Sequence, residues 1–244
     1  MASSVQLNEY AIGWDVGGWN CDRNRLSRDA IVIMDSSLKI FGTPWRGNLR
    51  ECINESATRK NWIAALFKLC KGGLPDESAK ITLAIDTPLG FSESFVKLVT
   101  REGCIKSLQG FYTNQYLFRR TEIHLCEAGL KPLSAVNHMI GSQATKGMHA
   151  LAKFAPNIES CGVWSDGENF RVIETYPAAC EKKKTLKELL KKPLLRHLKN
   201  LTGDKYDAGL CALIGHLFAT NLSALDRPGK NIPPNEGWIW VPTK

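Results

Sequence analysis

Ala11-Ile12-Gly13-Trp14-Asp15-Val16-Gly17-Gly18-Trp19 sets a carboxylate where an apolar run gives way to two glycines. Residues 10–16 are mostly apolar and bounded by turn formers, which predicts a short buried strand. Asp15 then lies near its C-terminal end, beside a backbone free to bend at the glycines. Burying an unpaired carboxylate costs several kcal/mol or drives it to protonate. Asp15 is therefore expected to face an open cleft or meet a cation.

Following this strand, residues 30–35 and 38–42 are short apolar runs separated by Ser36-Ser37, a hairpin signal that predicts three antiparallel opening strands. Residues 54–69 place Trp62, Ile63, Leu66 and Phe67 at helical spacing and end at Gly72-Gly73. Lys80–Asp86 reads as the next strand, again finishing in an acid, and Thr87-Pro88-Leu89-Gly90 breaks it. A helix in the crossover lets this strand lie parallel to the first, which brings Asp15 and Asp86 to one edge of the sheet.

The stretch around 92–155 reads as a helical or irregular insertion, with helices expected over 92–100 and 134–154. Arg119-Arg120 can clamp a phosphate or pair with Glu122 and Glu127. Residues 161–164 and 169–176 flank Ser165-Asp166-Gly167-Glu168 as a second hairpin, and Glu174 falls near the end of its strand as Asp15 and Asp86 do on theirs. Asp204 and Asp207 open the last helix three residues apart, so both share a side. Asp204 reads first as a helix N-cap, and Asp207 as the stronger site candidate. Residues 237–242 return as a short apolar strand.

At 244 residues, 43% of them hydrophobic, the chain can fill one globular domain spanning 1–244. No apolar run reaches the roughly 18 residues of a membrane span, and Met1-Ala2-Ser3-Ser4 lacks the features of a signal peptide, so the expectation is a cytoplasmic protein with no membrane segment. The eight cysteines form no C-x-x-C pair and are expected to be free thiols. The formal charge of +8 is concentrated in 182–199, KKKTLKELLKKPLLRHLK, a basic amphipathic stretch with Leu186, Leu189, Leu190, Leu194, Leu195 and Leu198 on its buried face. It reads either as a solvated helix surface or as a phosphate-binding patch.

Taken in order, GWDVGGW at 13–19, AIDTPLGF at 84–91, FRRTE at 118–122, VIETYPA at 172–178, DAGLCAL at 207–213 and GWIWVP at 237–242 resemble the DUF429 family of predicted nucleases, over nearly the whole chain. The resemblance implies an α/β ribonuclease H-like fold: a three-strand antiparallel meander, further parallel strands, and flanking helices. It also implies a carboxylate cluster of Asp15, Asp86 or Glu174, and Asp207, with Asp204 or His216 at its periphery. Because junction-cutting relatives act as dimers, a homodimer is left open.

Such a cluster suits phosphodiester hydrolysis, in which two Mg²⁺ or Mn²⁺ ions relieve charge on the attacking and leaving oxygens. Hard cations take oxygen ligands. The expected metal ligands are Asp15, Asp86, Asp207 and Asp204, with Glu174 orienting water or metal and Arg119, Arg120 and Lys146 contacting the phosphate of a DNA or RNA substrate. Two other classes share this sequence pattern. One is a catalytically inert nucleic-acid or protein-binding module. The other is an ATP-dependent phosphotransferase of the actin or sugar-kinase type, holding phosphate at Asp15-Val16-Gly17-Gly18. His124, His138, His149 and His197 lie at no ligand spacing.

Overall fold

A computed structural model of the chain describes residues 8–108 and 110–243, so the N-terminal Met1-Ala2-Ser3-Ser4 reading lies outside the described residues. The chain forms an eight-stranded mixed sheet with helices against it. Strand β1 (Glu9–Asp15) pairs antiparallel with β2 (Asp29–Asp35), which pairs antiparallel with β3 (Trp45–Gly47). Helices α1 (Arg50–Glu55) and α2 (Arg59–Leu69) then lead to β4 (Lys80–Asp86), which lies parallel to β1 as expected. Helices α3 (Glu93–Val99), α4 (Arg120–Glu127) and α5 (Gly141–Phe154) precede β5 (Asn157–Ser160), β6 (Val163–Ser165) and β7 (Phe170–Thr175). After α6 (Pro177–Cys180), α7 (Lys184–Leu190) and a 3-10 turn over Pro193–Asn200 comes the long α8 (Asp204–Thr220), and β8 (Ile239–Trp240) closes the chain. The strand order is β3-β2-β1-β4-β7-β6-β5, with β8 continuing along β7 where β6 ends.

Several elements differ from expectation for local reasons. The run 38–42 makes only an isolated bridge, Met34 to Ile40, because Asp35 gathers Ser37 and Lys39 into a tight turn and Leu38 adopts a left-handed φ of 62°. The third strand forms instead at Trp45–Gly47. The single helix expected over 54–69 is divided at Thr58, whose hydroxyl caps α2 by accepting from the Asn61 amide. The helix expected over 134–154 begins only at Gly141. The segment expected as an insertion also contributes to the core, since α5 buries Ala150, Leu151 and Phe154, the last stacked on Trp62.

The sheet has two covered faces. Ile12, Trp14, Leu83, Ile85 and Val172 point toward α2 and α5. The alternate residues face α8, which is apolar almost all round, as a helix buried against a sheet must be. Contact is close enough to need glycine at Gly13: a Cβ there would sit 1.9 Å from the Ala208 carbonyl oxygen and 2.4 Å from the Ala212 nitrogen. All eight cysteines are free thiols. Among the described residues no helix is long and apolar enough to cross a membrane.

Candidate functional site

In β1 and β4 the parallel register sets Asp15 directly beside Asp86 at the C-terminal ends of both strands. Both fall on the α8 face, where the first turn of α8 brings Asp207 near them. All three are half-buried, and none has a side-chain hydrogen bond or ion pair among the described residues. The consequence is electrostatic. Burial pushes the Asp15 carboxyl up to about 9, reinforced by Asp86, Asp207, Asp204 and Asp29. Burial pushes Asp86 up to about 8, with Asp207 and Glu174 adding to it. Asp207 rises to about 6 through burial and the charges of Glu181 and Asp204. Three acids whose neighbours are mostly other acids are the arrangement that a cation relieves most.

Beside them opens a cleft of about 200 Å³, lined by Asp15, Asp86, Thr87, Glu174 and Tyr176 among others. The Thr87 hydroxyl is buried there without a hydrogen-bond partner among the described residues. Sequence reasoning passed over Thr87 as a turn residue and passed over Glu181, which bonds the Tyr206 hydroxyl at 2.6 Å beside Asp207.

Glu174 belongs to a different arrangement. Register pairs it with Ile85, not Asp86, so its side chain leaves the sheet on the face opposite Asp86. There both carboxylate oxygens are taken by Arg119, at 2.6 and 2.8 Å, and one also accepts from the Leu89 amide. Register thus makes Asp86, and not Glu174, the strand-end neighbour of Asp15 on the α8 face.

Arg119 is correspondingly spent. Only 2% exposed, it also bonds Glu122 and the Glu236 carbonyl, which leaves its guanidinium no free edge for a phosphate. Arg120 turns outward to the Asn231 carbonyl. Lys146, expected at a substrate phosphate, is fully buried and ion-paired with Asp29, and donates to Asn48 and toward the Gly17 and Gly18 carbonyls. Asp29 in turn accepts from the Gly17 amide, the Trp14 indole and the Leu49 amide. The two buried charges together fasten the turn after β1, where a Cβ on Gly17 would come within 2.8 Å of Asp29. Asp29 gave little sequence signal, because its partner is 117 residues distant.

Asp204 follows the actual N-cap, Gly203, and its carboxylate accepts from the Arg46 guanidinium at 2.6 Å and the Arg28 amide at 2.9 Å, so it is paired with a cation already. His216 lies far along α8, near Glu9 and Asp35 at the opposite end of the sheet.

The donor set of Asp15, Asp86 and Asp207 is all carboxylate oxygen and, among the described residues, without hydrogen-bond or ionic partners; binding Mg²⁺ or Mn²⁺ would displace the protons that burial retains on Asp15 and Asp86, which fits a hard cation in chemistry. Among the described residues, however, no three His, Cys, Asp or Glu side chains close around a single point as they stand. Comparison of the chain with models of protein families, with curated proteins and with solved structures gives no match.

Proposed function

We propose that the protein is a metal-dependent phosphodiesterase acting on nucleic acid, with Asp15, Asp86 and Asp207 as its metal-holding carboxylates. The observation that carries this reading is the meeting of three half-buried acids from three separate elements at one sheet edge, where among the described residues no cation is ion-paired with any of them. A strand order of 3-2-1-4-7, with an antiparallel meander leading into parallel strands, is consistent with a ribonuclease H-like sheet. Open sheets of this kind place ligands outside the carboxyl ends of their parallel strands, where Asp15 and Asp86 stand.

Divalent cations, when bound, supply Lewis-acid stabilisation of the attacking and leaving oxygens. If divalent ions bind, Asp15, which has both Asp86 and Asp207 as electrostatic neighbours, would be the shared ligand, with Asp86 and Asp207 completing the carboxylate set. Tyr176 and Thr87 line the cleft, the Thr87 hydroxyl being buried without a hydrogen-bond partner among the described residues. Arg119 acts at one remove: by holding Glu174 it fixes the end of β7 and the 87–89 turn that form the cleft wall.

An inert binding module is favoured by one observation: among the described residues no three-ligand cluster is already closed around a point. The phosphotransferase reading is weakened by the Gly17 amide being held by Asp29, which withdraws it from a nucleotide phosphate. The deciding experiment titrates wild-type protein and Asp15→Asn with Mn²⁺ and Mg²⁺ by calorimetry, alongside cleavage of labelled single-stranded, duplex and branched DNA and RNA. Binding and cleavage that both vanish in Asp15→Asn are the expected result. Wild-type protein that binds no divalent ion at millimolar concentration while still binding nucleic acid establishes the inert module instead.

A further inference from the structure

Residues 177–203 leave the sheet at Tyr176 on the cleft wall and return at Asp204 and Asp207 on α8. The arm thus starts at a cleft-lining residue and ends at the helix turn whose Asp207 is an electrostatic neighbour of Asp15 and Asp86. Its apolar side is anchored, with Leu186, Leu195 and Leu198 fully buried in the core around α8 and with Leu198 and Leu201 close against the bare Cα of Gly209. Leu194, expected on the buried face, is instead 44% exposed, because the chain tightens into a 3-10 turn after Pro193 and the helical face does not continue.

Anchoring one side fixes what the other displays. Between 181 and 199 stand eight basic residues and only two acids, Glu181 and Glu188. Lys187, Lys191, Lys192, Arg196 and Lys199 are all exposed. Within the arm, among the described residues, the ion pair found is Lys184 with Glu188 at 3.8 Å. The excess positive charge is thus largely uncompensated and held on a packed surface, in the segment that joins cleft-lining Tyr176 to the helix bearing Asp207. No Phe, Tyr or Trp occurs between 181 and 199, so the arm offers charge and no stacking platform for unpaired bases.

The geometry points to the arm as a sequence-independent binding surface for the sugar–phosphate backbone of a paired nucleic acid, which it holds against the carboxylate cleft. The assignment rests on the phosphodiester reading of that cleft for the identity of the polyanion. Lysines contacting phosphates release counterions, which makes affinity fall steeply with salt.

The test is fluorescence anisotropy of the full chain in EDTA with a labelled duplex and a single strand of equal length, over about 50 to 200 mM salt. Wild-type protein is expected to bind the duplex more tightly. In Lys187→Gln/Lys191→Gln/Lys192→Gln the log–log salt slope should fall by about 2.7, as expected for three lost phosphate contacts. Arginine at the same three positions should restore binding, and thermal stability should not change. An unchanged slope and affinity in the glutamine variant, tighter binding of the single strand, or no duplex binding by wild-type protein at low salt each overturns the assignment. Calorimetry with Mn²⁺ separates this result from the function proposed above. Duplex binding through the arm without a wild-type Mn²⁺ isotherm leaves the surface standing and sinks the hydrolase. Mn²⁺-dependent cleavage indifferent to the three lysines does the reverse.

Discussion

Asp15 and Asp86 hold protons in the folded protein that the unfolded chain has released by neutral pH, since their folded values are about 9 and 8. The sign of the pH effect follows. Their stabilising share is complete below the ordinary aspartate range and is lost as pH rises through 8 and 9. In EDTA, melting temperature should therefore decline between pH 6 and pH 9, and decline less in Asp15→Asn. At pH 8 that variant should gain about 1 kcal/mol, or roughly 2–4 °C in a domain of this size. Mn²⁺ should raise the wild-type midpoint at pH 8 and leave that of Asp15→Asn/Asp86→Asn unmoved. The Asp29–Lys146 pair behaves oppositely. Fully buried and mutually neutralised, it becomes a liability when halved. Lys146→Met should cost about 3–5 kcal/mol by stranding the Asp29 charge, and Lys146→Met/Asp29→Asn should recover part of that loss in denaturant titration.

Between β1 and α8 the decisive quantity is distance. A methyl group on Gly13 meets the Ala208 carbonyl at 1.9 Å, and since helix backbone cannot yield as a side chain can, α8 would have to lift. Gly13→Ala should destabilise the fold by about 3 kcal/mol and lower Mn²⁺ affinity as well, because Asp207 moves with α8. At β4 and β7 the decisive quantity is parity. Asp86 and Glu174 end neighbouring strands one register step apart, and that single step sends them to opposite faces. Asp86→Asn should therefore remove the Mn²⁺ isotherm while leaving stability intact or improved. Glu174→Gln should leave the isotherm and instead lower stability by about 3 kcal/mol, since it weakens the partner of a buried Arg119.

Across the whole molecule, acids gather in the cleft and most of the excess positive charge gathers on the arm beside it. Under the proposed phosphodiesterase reading, a substrate phosphate would be drawn by the arm and admitted to the acids only with cations. If the arm binds without taking part in chemistry, Lys187→Gln/Lys191→Gln/Lys192→Gln should raise KM for duplex cleavage about tenfold and leave kcat within about twofold of wild type, measured with saturating Mn²⁺. The same variant should lose most of the salt dependence of kcat/KM.

The strands ending in Asp15 and Asp86, the crossover that makes them parallel, and the last helix opening on Asp207 could be read from the sequence alone, because each is written in local periodicity and its breakers. Tertiary structure decided which charges stay free. Arg119, Lys146, Asp204 and Glu174 carry the same chemistry in sequence as a site residue does, yet each is paired with an ionic partner at least 55 residues away. A buried charge must be neutralised where it ends up, and local sequence does not reveal what will lie opposite it. Asp15, Asp86 and Asp207, by contrast, are brought by the fold mainly to other acids.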